Sequence, residues 1–81
     1  MMTFTEALAE RGYTTMLLSL QTGFDYMTIA SWRAGHRRPG DSARVILSRK
    51  LKVERELLDS WLDNTRKRWV RRKKKSLQEQ P

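Results

Sequence analysis

Three glycines, Gly12, Gly23 and Gly35, each close a short run that a capping residue has opened. This punctuation limits the first half of the chain to short helices. Thr3-Phe4-Thr5-Glu6 has the form of a capping box, threonine followed three residues later by glutamate. The helix that follows carries Phe4, Ala7, Leu8 and Arg11 on one side and stops at Gly12. Thr14 opens a second helix, whose apolar residues are Met16, Leu17, Leu18 and Leu20. Gly23 suits the left-handed position that ends it. Asp25 caps a third helix, where its carboxylate also meets the positive end of the helix dipole. Ile29 and Trp32 lie on the inner face of that helix, and Gly35 ends it.

Pro39-Gly40 reads as a turn, and Asp41 or Ser42 opens a fourth helix. Ala43, Ile46, Leu47 and Leu51 follow at helical spacing. A last helix starts near Glu54, with Leu57, Leu58, Trp61, Leu62, Thr65 and Trp69 recurring on one side. The expected helices span about 4–11, 15–22, 26–34, 42–51 and 55–64 or beyond. No segment alternates as a strand would. The fold class is therefore all-α, a compact five-helix domain over 1–64 with a basic extension over 65–81, frayed from Ser76 onward.

The charge of +8 is unevenly spread. Eight of the 17 basic residues lie in Arg66–Lys75, which holds no acid, so the remaining nine balance the nine acids. Such a block contacts polyanions, with affinity for phosphate but no reading of sequence. Three uses are open for it. It is a helix with Trp61, Leu62 and Trp69 as a dimer seam, a basic arm on a duplex, or a solubilising end. Trp69 favours a use beyond solubility, because an indole stacks on bases or anchors in a partner.

Several function classes fall away. Without cysteine, disulfides and thiolate metal sites are excluded. A single histidine builds no zinc site unaided, so neither metal nor cofactor is expected. There are no paired carboxylates and no glycine-rich phosphate loop, so no enzyme is expected. No stretch of about 18 apolar residues exists to span a membrane, and no secretion signal is visible. The expectation is a cytoplasmic, nucleoid-associated protein of a bacterial cell.

From Gly12 to Leu58 the chain resembles the Cro and phage-repressor (Xre) class of helix-turn-helix proteins. The landmarks are Gly12, Leu18, Gly23, Ile29, Trp32, Gly35, Pro39, Leu47, Leu51 and Val53, spaced without insertions. The run Ile29 to Pro39 carries most of the likeness. Thr15, Thr22, Arg44 and Lys52 stand where that class commonly has glutamine, leucine, an apolar residue and glycine.

The resemblance implies five helices, with the third in the DNA major groove. It implies that Tyr26, Met27, Thr28 and Ser31 meet base edges. It also implies that Thr15, Arg33 and the loop Gly35, His36, Arg37 and Arg38 meet phosphates. From the extension, Arg66, Lys67, Arg68, Arg71 and Arg72 join the phosphate contacts. Tyr26, Met27 and Ser31 include none of the side chains that grip a base bidentately, so reading by them is modest or aided by DNA shape. The plainer reading makes Tyr26 and Met27 core or partner-facing groups. It likewise makes the arginine loop solvated, and Met16, Leu17, Leu18 and Leu20 either a tightly packed core or an exposed patch.

The expected function is sequence-specific binding of double-stranded DNA by a homodimer. This would be a phage or mobile-element regulator, similar to Cro, that blocks or recruits RNA polymerase. One alternative is a protein-interaction module that binds RNA polymerase or a repressor. Another is an architectural or recombination-directing DNA binder.

Overall fold

The computed structural model describes residues 1–79, with side chains described through Lys73. Its five helices are α1 (Phe4–Glu10), α2 (Thr15–Thr22), α3 (Tyr26–Ala34), α4 (Asp41–Leu51) and α5 (Arg55–Glu79), with no strand among the described residues.

Local hydrogen bonds set the helix starts. At α1 the Thr3 hydroxyl accepts from the Glu6 amide at 3.2 Å, and a Glu6 carboxylate oxygen accepts from the Thr3 amide at 3.0 Å. Thr14 accepts from the Leu17 amide at 3.0 Å, and Asp25 from the Met27 amide at 3.1 Å. Each bond satisfies one amide that the first helical turn leaves without a partner. Gly23 and Gly35 end α2 and α3 in the left-handed region, at φ 83° and 86°. α4 starts at Asp41 behind Gly40, which offers no side-chain cap. It ends on Lys52, a non-glycine residue at φ 56°.

All five helices supply the core: Phe4, Ala7, Leu8, Leu18, Ile29, Trp32, Leu47, Leu51, Leu58, Trp61 and Leu62. α5 packs on α1, α3 and α4, while α2 packs on α3 and α4. The Arg11 guanidinium covers the Trp61 ring at 4.8 Å. Thr65 ties α5 to the start of α1: its hydroxyl accepts from the Phe4 amide and donates to the Trp61 carbonyl, both at 2.8 Å.

Three expectations change. Ile46 and Leu57 are exposed at 42% and 45%, although both fit the apolar stripes of their helices. Each is sequence neighbour to the fully buried Leu47 or Leu58, and adjacent helical positions diverge by about 100°. Both therefore fall at the edge of the buried sector. Trp61 and Leu62 lie within this chain's own core, so they form no dimer seam. Finally, α5 crosses 64/65 without a break, and Thr65 is buried. The basic block thus begins as part of the packed body. The backbone of Ser76–Glu79, expected to fray, belongs to α5; the side chains of Lys74 to Glu79, and Gln80 and Pro81 altogether, lie outside the described residues.

Candidate nucleic-acid interface

α2 and α3 are locked together around Gly23. The Ser19 hydroxyl donates to the Phe24 carbonyl at 2.6 Å, and the Thr22 hydroxyl donates to the Leu18 carbonyl at 2.7 Å. The Phe24 ring meets Trp32 edge-on at 5.1 Å. With Leu18 and Ile29 fully buried beneath the turn, the angle between the two helices is held by packing as well as hydrogen bonds.

Burial of Ile29 and Trp32 determines which face of α3 meets solvent. At about 100° per residue, Met27, Ala30, Ser31 and Ala34 form the opposite row. Tyr26 and Arg33 flank this row on one side and Thr28 on the other. Met27 is 69% exposed and Tyr26 49%, so neither is a core residue. Thr28 is exposed, and Ser31 is half-buried. Of the four expected base-reading residues, Met27 and Ser31 share the outer row, with Tyr26 and Thr28 on its two flanks. Ala30 and Ala34 were not among the residues singled out from sequence. Their signal was available: they sit opposite Ile29 and Trp32, and their short side chains allow close approach.

The chain after α3 is used differently. Gly35 is buried, and a Cβ there would lie 2.9 Å from the Thr65 carbonyl oxygen and from the Trp69 Cβ. The Gly35 amide donates to the Trp32 carbonyl, and the His36 and Arg37 amides donate to the Ser31 carbonyl. These bonds satisfy the Ser31 and Trp32 carbonyls, so three of the loop's backbone donors are already in use. Arg66 donates to the Gly35 and His36 carbonyls at 2.9 and 3.3 Å, placing a cation at the negative end of α3. It also covers the Trp69 ring at 4.5 Å, with Lys73 at 5.1 Å and the His36 ring edge-on at 5.4 Å. Trp69 is therefore a joint between loop and α5, not a free platform for bases.

Among the remaining expected phosphate contacts, some cations are tied and some are free. Arg33 donates to the Thr15 hydroxyl at 2.6 Å, so the end of α3 is fastened to the start of α2. Arg38 pairs with Asp63 and lies 3.9 Å from Asp59. Arg68 lies 3.5 Å from Glu6. Arg37, Lys67, Arg71 and Arg72 are exposed.

A second charged cluster sits where α4 meets α5. Arg44 lies 3.5 Å from both Asp41 and Asp59 and donates to the Pro39 carbonyl at 3.4 Å, while Arg55 pairs with Asp41. The Arg55 hydrogen bond holds the Asp41 carboxyl below its ordinary value of 3.8. At Glu6 the Thr3 amide, then the Thr3 hydroxyl, lower the carboxyl below 4.5. Among the described residues, no group of acids and histidine could hold a metal ion, and no helix is long and apolar enough to cross a membrane.

Comparison of the chain with protein-family models, curated proteins and solved structures finds no match.

Proposed function

We propose that this chain is a sequence-specific double-stranded DNA-binding regulator of transcription, of the Cro and phage-repressor helix-turn-helix type, with α3 as the reading helix. The observation that carries this is the outer row of α3. It is exposed at Met27 and Ala34, half-buried at Ala30 and Ser31, and small at the two alanines, which leaves Tyr26, Met27 and Ser31 able to touch bases. A major groove about 12 Å wide admits one helix. In it, Met27 makes apolar contact with a thymine methyl, while Tyr26, Thr28 and Ser31 supply hydroxyls. Arg37 and the free cations of α5 meet phosphates, which orients the helix without reading sequence. Two copies on a two-fold operator would double the site and block or recruit RNA polymerase at a promoter.

Selection on a randomised duplex library at physiological salt tests this. Enrichment of one motif is the expected result; retention of all sequences alike would overturn it.

A second reading has its own observation. Met16, Leu17 and Leu20 are exposed on α2 at 63%, 37% and 77%, in the helix preceding Tyr26 and Met27. Exposed apolar groups of this kind suit a protein partner such as RNA polymerase. Under that reading, substitution of Leu20 by serine abolishes capture of the polymerase and leaves duplex binding intact.

A further inference from the structure

A hollow of about 200 Å³ lies where the carboxyl end of α3 meets the start of α1 and the middle of α5. Arg33, Arg68 and Arg72 line it, together with Ala34 and Trp69. We infer that this hollow seats one phosphate group, supplied by the backbone of the bound duplex. The source of the phosphate rests on the DNA-binding reading above; the seat itself rests on the following geometry.

Three arginines line this one small open space, a concentration of positive charge that an anion would offset. Among the described residues, the only acid lining the hollow is Glu6, and its Oε1 is already occupied. That oxygen accepts from the Thr3 amide and hydroxyl at 3.0 Å each, and lies 3.5 Å from Arg68. The hollow therefore keeps an excess of positive charge. Arg33 uses one nitrogen on Thr15, and a guanidinium has five N–H donors in a planar fork that matches phosphate oxygens. Arg72 is exposed and forms no ion pair among the described residues. The volume is several times the roughly 30 Å³ share of one water, enough for a tetrahedral anion with part of its shell.

Position argues for a backbone phosphate rather than a free one. Ala34 is the last residue of the outer row of α3 and also lines the hollow. A strand bordering a groove that holds α3 therefore runs past this opening. Arg33 is anchored from below, since its carbonyl accepts from the Thr5 hydroxyl at 2.8 Å and its guanidinium reaches Thr15. The seat thus draws on three helices, with Arg33 held in place and Arg72 free to turn toward the anion.

The test uses the full chain with Arg72→Gln, an exposed position whose change leaves the core untouched, and Arg49→Gln on α4 as a charge-matched control. Affinity for a duplex is measured against salt, and the Trp69 indole N–H is followed by NMR. The expected result is a duplex-dependent shift of that resonance. With it, Arg72→Gln should lower the slope of log affinity against log salt by about 0.9, equally on specific and scrambled duplexes. Arg49→Gln should leave the slope unchanged. Duplex binding with no Trp69 shift and no difference between the two variants would overturn the seat while leaving the DNA-binding reading standing. If no duplex binds, inorganic phosphate alone is titrated. A Trp69 shift that Arg72→Gln abolishes would then support the seat and overturn the DNA source, whereas no response would overturn the seat.

Discussion

The outer row of α3 and the joint formed by residues 35–38 with α5 both carry residues expected to meet DNA, yet they are built in opposite ways. The α3 row faces solvent, and its two alanines leave it smooth. At the joint, Gly35 is buried, Arg66 holds two carbonyls, Arg38 pairs with Asp63, and Trp69 is covered by His36, Arg66 and Lys73. A basic run in sequence is therefore not a uniformly free basic surface. Some cations fasten α3 in place, and others are exposed.

This contrast is broken most sharply at the glycines. Gly35→Ala should destabilise the protein by roughly 2–4 kcal/mol: a left-handed alanine costs about 1–2, and the Thr65 backbone has to move as well. Gly23→Ala has the same sign of φ but open space for its Cβ, so it should cost only about 1–2 kcal/mol. Urea unfolding of both variants measures the gap; equal losses would mean that the α5 contact contributes nothing.

Next in size is the proposed reading face of α3. Tyr26→Ala and Met27→Ala should each change discrimination between duplexes by about 1–2 kcal/mol, while stability moves by less than roughly 0.5 kcal/mol, as for exposed sites generally. Equal loss on every duplex would assign these residues to phosphate positioning instead.

Arg66 and Arg71 sharpen the division within α5. Arg66→Met should lower stability by about 1 kcal/mol through loss of its carbonyl contacts. Arg71→Met should leave unfolding unchanged and flatten the salt dependence of duplex binding. Lys52→Gly, away from both regions, should raise stability by about 0.5–1 kcal/mol, because glycine adopts φ 56° without the clash of a Cβ.

The smallest effect is acidic. Glu6 and Asp41 have carboxyls held below their ordinary values of 4.5 and 3.8. Their stabilising contribution is complete above those values and is lost as pH falls through the lowered ones. Melting temperature should thus be level from neutrality to roughly pH 5 and decline in stronger acid. Glu6→Gln with Asp41→Asn should make that decline shallower.

Much of the helical frame was legible in advance because its signals act over three or four residues. The Thr3–Glu6 box, the Thr14 and Asp25 caps, and the left-handed Gly23 and Gly35 all fall where the pattern places them. The accessible row of α3 also followed from Ile29 and Trp32 being apolar and three apart. Other features were not legible. Arg44, Lys52, Thr15 and Thr22 depart from the class the chain resembles, and the structure gives each a local setting: an ion cluster, a left-handed cap, a bond from Arg33 and a bond to the Leu18 carbonyl.

What the sequence determined by itself was the number and order of the helices and the starts and stops of the first three to within a residue, together with the inward face of α3. Caps and helical periodicity are short-range and need no knowledge of the remaining chain. Only the tertiary structure decided which cations are free. Arg66 meets Gly35 across 31 residues and Thr65 meets Phe4 across 61, contacts that exist only once α5 has docked. The same docking buries Gly35, turns Trp69 inward and brings Arg72 beside Arg33, because α5 packs on both α1 and α3.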